Sequence, residues 1–335
     1  GTALDNPRIA FLFPGQGAQR PGMLRSIKAR FPLVARELER MNDALDGVLE
    51  RPLLDLIYPE GRVDSVSDDA ARMELTETAN CQPALLACGV ALAELLRSLG
   101  IEPVVATGHS LGEFTAAAVA KVVSADDALR FVAGRGQAMA SLDGDHGAMA
   151  ALRASFEEAE ALLVDGTVIA NINHPKQVVA SGTTSGVAEV VARAAQAGID
   201  AIPLEVSHGF HSAVLDGLDV SGLLEPMSFS TSDTQLVSAI DGCVVRNGEH
   251  ARDIFHRHAL SPVRFLDALK ACDDVGVDIY LQVASGGPLS SFARGTFAGQ
   301  GKPIVSLASM DDTDGGASLL SNLGRLYTLG VAMNL

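Results

Sequence analysis

The stretch that most restricts what this chain can fold into is Val104-Val-Ala-Thr-Gly-His-Ser-Leu-Gly-Glu-Phe114. A β-branched apolar run leads into Gly108-His-Ser-Leu-Gly112, and an alanine-rich segment follows. This is the Gly-x-Ser-x-Gly pattern in a strand–turn–helix setting, where the serine rides a strained turn above a sheet. The turn places the Ser110 hydroxyl at a helix N-terminus, whose free N–H groups favour negative charge. The plainer reading, an ordinary strand-to-helix turn, stays open on these residues alone.

The bulk numbers narrow the class. The chain has 335 residues, 47% hydrophobic, with a net charge of −16. That is enough for one large domain or two modest ones with a sizeable core. The acidity argues against nucleic-acid partners and anionic membranes. Trp is absent and aromatics are 4%, so stacking on bases has few platforms. The four cysteines show no metal or redox spacing; Cys81 and Cys88 read as core thiols, which points to a reducing, cytoplasmic compartment. No signal peptide or uninterrupted membrane-length apolar run is read. The start at Gly1 suggests a piece of a longer polypeptide.

Along the chain, Arg8 to Phe13 reads as a strand that runs into a glycine-rich turn, Pro14 to Gln19. The turn lacks the Gly-Lys-Ser/Thr ending of a phosphate loop. Pro32 to Leu45 reads as an amphipathic helix, Pro52 to Ser67 as a linker, and Thr78 to Gly100 as a long helix with Pro83 in its first turn. Ser124 caps a helix that carries Arg135 between Gly134 and Gly136. From Ala148 to Val206 the order is β-α-β-β-α-β, the ferredoxin-like pattern. Later strands are read at Leu236 to Ile240, Asp278 to Val283 and Ile304 to Leu307. The expected fold is therefore α/β: an α/β-hydrolase-like large domain with a parallel sheet, residues 1–145 and 208–335, and an inserted ferredoxin-like small domain, residues 146–207.

A serine hydroxyl needs a base within reach. Of eight histidines, His250, His256 and His258 read as solvated, and His256-x-His258 has no evident ligands to complete a metal site. His211 lies at the expected return to the large domain and is the best placed, although spacing does not single it out. No acid between Ser110 and His211 stands out, because the carboxylates there read as surface residues; a Ser–His dyad, oriented by a main-chain group, is expected. Arg135, in an apolar helix, needs an anionic partner if buried, and a substrate carboxylate would be one.

Six motifs then occur in order: Phe13-Pro-Gly-Gln-Gly-Ala-Gln19, Gln82-Pro-Ala-Leu85, Gly108-His-Ser-Leu-Gly112, Gly134-Arg-Gly136, Asn171-Ile-Asn173 and Gly209-Phe-His-Ser212. Together they resemble the malonyl-CoA:acyl carrier protein transacylase family, especially the acyltransferase domain of polyketide synthases, from about Arg8 to Leu329. The resemblance implies that Ser110 accepts the acyl group and His211 is base and acid. It implies that the Gln16 and Leu111 N–H groups form the oxyanion hole and that Arg135 holds the malonyl carboxylate. It places His109, Gln82 and Asn173 in the pocket, and the Arg264 main chain behind the histidine. His208-Gly-Phe-His211 resembles the His-Ala-Phe-His of malonyl-selective domains, with Phe210 filling the space of a C2 methyl. The implied substrate is malonyl-CoA, and the acceptor is the phosphopantetheine thiol of an acyl carrier protein. Other synthase domains are the remaining partners, and no metal or bound cofactor is implied. Two departures raise questions. Gly209 replaces a usual alanine and could loosen its loop, and Gln282-Val-Ala-Ser-Gly286 leaves the late loop's role open. The rival readings are a thioesterase or serine hydrolase, and a non-catalytic docking domain.

Overall fold

In the computed structural model the described residues are 3–59, 69–284, 286–307 and 316–334. Ten strands form two sheets there: β1 (Ile9–Phe13), β2 (Val105–Gly108), β3 (Ala148–Leu152), β4 (Thr167–His174), β5 (Gln177–Gly182), β6 (Ala201–Pro203), β7 (Gln235–Ser238), β8 (Cys243–Val244), β9 (Ile279–Gln282) and β10 (Ile304–Ser306). The first sheet runs β10-β9-β1-β2-β7-β8. Its first five strands are parallel, and the two-residue β8 closes the edge antiparallel. β1, β2 and β9 are buried along their whole length, which explains why they read as unbroken apolar runs. The second sheet, β4-β5-β3-β6, is antiparallel, with helices Phe156–Glu160 and Thr184–Gln196 between its strands. The molecule is thus an α/β-hydrolase-like core carrying a ferredoxin-like subdomain.

The helix Thr78–Ser98 is long and apolar enough to cross a membrane, but 83% of that apolar stretch is buried inside the protein, so it is the core helix of the large layer. Pro83 lies inside this helix and not in its first turn. The N–H groups of Asn80 and Cys81 already bond the Glu77 carbonyl, which starts the helix upstream of the proline. The expected linker from Pro52 is helical over Leu53–Ile57, because Leu53, Leu56 and Ile57 bury on one side. Residues 60–67 of that stretch lie outside the described residues. β6 stops at Pro203, short of the expected Val206.

The two sheets meet through main-chain bonds. The Val263 N–H donates to the Ala170 carbonyl at 2.7 Å, and the Ile172 N–H donates to the Val263 carbonyl at 2.8 Å. β4 changes register between Ile169 and Asn171 and again between Ile172 and His174. Such irregularities re-aim side chains. Here Asn171 and Asn173 turn to the large sheet and meet His109.

Candidate active site

The elbow is built from close approaches. A Cβ on Gly108 would lie 2.0 Å from the Gly112 carbonyl carbon, and one on Gly112 would lie 1.9 Å from the Phe13 carbonyl oxygen. Only glycine fits at either place, so β1, β2 and the following helix Gly112–Val119 converge on one turn. At its apex Ser110 takes φ 49°, in the left-handed region. A non-glycine residue there costs about 1–3 kcal/mol and persists only where its surroundings over-determine it.

His211 shares that strain, with φ 59°. The Ser110 Oγ and His211 Nε2 atoms are 2.7 Å apart. On the far side of the ring, Nδ1 faces the Ser261 carbonyl at 2.8 Å and the His258 carbonyl at 3.2 Å. Two carbonyls can only accept, so Nδ1 carries the proton. That leaves Nε2 to accept from the serine hydroxyl. Burial, then the Arg135 charge, pull the His211 imidazole down to about 3, so the ring is neutral at ordinary pH.

The expected role of the Arg264 main chain is corrected. Its carbonyl accepts from the Asp267 and Ala268 N–H groups as it opens the helix Phe265–Asp274, and cannot also face His211. Ser261, three residues earlier in the same segment, supplies the carbonyl together with His258. The expectation that His250 and His258 are solvated is also wrong. His250 Nε2 donates to the Asp241 carboxylate at 2.6 Å and the residue is 9% exposed, while His258 is fully buried. His256 is exposed, so the two rings of His256-x-His258 face different surroundings.

Arg135 is 3% exposed. Its helix, Ala125–Ala140, crosses the start of Thr78–Ser98 so closely that a Cβ on Gly136 would lie 2.7 Å from the Thr78 carbonyl oxygen. That crossing sets Arg135 Nη1 against Gln82 Oε1 at 2.7 Å and the guanidinium over the Phe114 ring at 5.2 Å. Among the described residues it has no carboxylate partner. Burial lowers its pKa to about 9, and it stays charged near neutral pH. Gln82 is fully buried and also donates to the Thr78 hydroxyl at 2.8 Å.

The other expected residues fall around this centre. The Pro14–Gln19 turn leaves β1 and lays Gly15 against His109 and Ser110. Among the described residues neither the Gln16 nor the Leu111 N–H has a protein acceptor. The Gln16 side chain lies beside the buried Cys81 thiol, which burial pushes up to about 12. His109 bonds Asn173 Oδ1 at 2.7 Å, packs on Phe265 and Phe292, and is drawn down to about 4 by burial. Phe210 joins Met139, Met149 and Val179 in the apolar cluster between the sheets. His208 lies farther out, its ring 4.7 Å from His146 and 5.8 Å from Phe210, with no bond to Ser110 or Arg135.

The two departures have physical readings. The Gly209 N–H donates to the His146 carbonyl at 2.7 Å, and its carbonyl accepts from the Ser212 hydroxyl at 2.6 Å, so the loop is pinned and not loosened. Gln282 is 1% exposed; its amide donates to the Gly286 carbonyl and its oxygen accepts from the Ser290 N–H, both at 2.8 Å. A carboxylate could accept the second bond but not donate the first. Asn171, Ser261 and Phe292 also touch this centre and were not among the expected site residues; Asn171-Ile-Asn173 was a visible pattern of which only the second asparagine was singled out.

The chain matches the acyl transferase domain family over residues 10–332. It is 39% identical to polyketide synthase GfsA of Streptomyces halstedii over 332 residues, covering 96% of this chain and 4% of that synthase. The acyltransferase domain from the second module of the salinomycin polyketide synthase superposes with a TM-score of 0.86 at 32% identity, covering 98% of this chain and 75% of that one. A malonyl-transacylase solved in complex with its type II polyketide synthase acyl carrier protein gives a TM-score of 0.81 at 28% identity, over 95% and 99% of the two chains. The chain therefore spans only a small part of the synthase it matches in sequence, and it belongs to the acyl transferase domain family.

Proposed function

We propose that this domain transfers a malonyl group from malonyl-CoA, through an ester on Ser110, to the phosphopantetheine thiol of an acyl carrier protein within a polyketide synthase. The observation that carries the choice of acyl group is Arg135: a buried guanidinium beside a Ser–His pair, using one donor on Gln82 and meeting no carboxylate among the described residues. A free carboxylate on the substrate would complete it in bidentate fashion. The likeness to a transacylase solved with its carrier supports the acceptor.

In this reading Ser110 Oγ attacks the thioester carbonyl carbon while His211 Nε2 takes its proton. The Gln16 and Leu111 N–H groups receive the oxyanion. The C–S bond breaks, and the leaving CoA sulfur takes the proton from His211. The carrier thiol then gives its proton to His211, attacks the ester and frees Ser110, which recovers a proton from the imidazole. Phe210, in the apolar cluster, disfavours a C2 methyl, and His109, Asn173 and His208 line the approach. Residues 146–207 act as the insert whose β4 carries Asn173 to the elbow, and residues 1–145 and 208–335 as the catalytic domain.

Intact-mass analysis of the protein incubated with malonyl-CoA, methylmalonyl-CoA and acetyl-CoA, with and without a holo carrier, tests this reading. Malonyl-CoA should give a single covalent adduct that the carrier discharges, and Ser110→Ala should show none. An adduct persisting in Ser110→Ala would overturn the assignment. Rapid discharge by water alone would make the protein a hydrolase.

A further inference from the structure

The dyad leaves a charge problem. Taking the serine proton makes His211 an imidazolium in a buried site that already holds Arg135, and the carbonyls of Ser261 and His258 offer dipoles, not a charge. The carboxylate absent from the sequence-level reading is nevertheless in the structure. Glu113 lies between Ser110 and His211 in chain order and is fully buried. It sits in the first turn of the helix behind the nucleophile, and its N–H donates to the Ser110 carbonyl at 2.9 Å. Its Oε2 accepts from the Ala239 N–H at 3.1 Å, the Ser238 hydroxyl and the Ile240 N–H also lie against the carboxyl, and Oε1 has no hydrogen-bond partner among the described residues.

What faces Glu113 is His258 Nε2, at 3.9 Å and so beyond hydrogen-bond distance, on a fully buried ring whose two nitrogens have no hydrogen-bond partner among the described residues. His258 touches both halves of the dyad. Its carbonyl accepts from His211 Nδ1, and its ring lies by the Ser110 main chain. The two imidazole centroids are 5.6 Å apart, and the Phe114 ring packs on His258 at 4.5 Å. We propose that Glu113 and His258 form a buried positioning pair that holds the His258 carbonyl on His211 and supplies, from behind it, the negative charge that the Ser110–His211 dyad lacks.

The neighbours support an uncompensated site. The helix Ala125–Ala140 contributes only the cation Arg135. The helix Gly248–Arg257 contributes Arg257, which is engaged by Asp241 and Asp253. The loop after β7 contributes Asp241, already bonded to Arg257 and His250. The elbow contributes His109, bonded to Asn173 and neutral. Glu113 is thus the one carboxylate facing this space that no cation of the chain neutralises among the described residues. Burial raises its pKa to about 7, within reach of ordinary assay conditions.

The inference rests on the acyl-transfer reading, and its test separates the two. The rate of Ser110 malonylation at saturating malonyl-CoA is followed by quenched intact mass across pH. His211 is neutral down to about 3, so it cannot produce an inflection near neutrality. Wild type should rise with pH through an inflection close to 7 as Glu113 loses its proton. Glu113→Gln should load about tenfold more slowly at high pH, as expected for one charge removed at moderate distance, with that inflection gone and KM unchanged. Glu113→Asp should recover the inflection at a shifted position. His258→Asn, which keeps the main-chain carbonyl, should lose it too. A Glu113→Gln protein that melts like wild type yet keeps the rate and the inflection would overturn the pair while leaving Ser110 loading intact.

Discussion

Ser110 and His211 are held in opposite ways. Ser110 is placed chiefly by what lies within five residues of it, a buried strand, two glycines and a helix that starts at once, with Phe13 and Gly15 packed against the turn. His211 is placed by carbonyls about fifty positions downstream, with its own N–H bonded to the Ala259 carbonyl at 3.1 Å. Both residues are strained, at φ 49° and 59°, but one strain is local and the other is imposed by tertiary packing. A locally built group is robust to changes elsewhere. A group suspended from distant main chain inherits every shift of the segment that holds it.

Substitutions can break or sharpen that contrast. After Ser110→Ala, with complete loss of the adduct, the next largest effect should come from His211→Ala. Removing the base should slow malonyl loading by about 10²–10⁴-fold in a quenched-flow assay. A loss below tenfold would mean that the distant suspension matters less than its geometry suggests. Arg135→Ala should lower malonyl preference over acetyl by about 10–100-fold, the worth of one charge-assisted bidentate pair, read in a competition between the two CoA esters. Phe210→Ser should raise methylmalonyl loading relative to malonyl by no more than about 200-fold, since a methyl-sized change is worth about 1–3 kcal/mol. The smallest effect belongs to Arg264→Ala. Its side chain pairs with Asp267 at the surface and its carbonyl serves a helix, so loading should stay within about twofold of wild type.

The same contrast decides what was legible beforehand. The elbow, the parallel strands and the ferredoxin-like order are written in periodicity and turn residues, which act over a few positions. The motifs that placed Gln82, Arg135 and Asn173 near Ser110 are likewise compact. The errors cluster where contacts are long-range. Glu113 read as a surface residue because nothing nearby shows that β7 and the segment after it close over that side of the helix. His258 read as solvated because its helix is polar, yet it lies just past the last turn, where the chain dives under Phe114. The resemblance points to the Arg264 main chain and not to Ser261, because which carbonyl is free to face the imidazole depends on where the next helix begins.

The seam between β4 and Val263 bears on how such domains can be exchanged. Ala170 and Ile172 share two main-chain bonds with a residue that stands two positions after Ser261. A graft that replaces the ferredoxin-like unit therefore does not swap a detachable cassette. It also replaces the strand bonded to Val263, two positions after a carbonyl that faces the His211 ring. Chimeras cut on either side of the subdomain will retain loading only if the donor sequence reproduces the same stagger in that strand, whatever pocket side chains it brings.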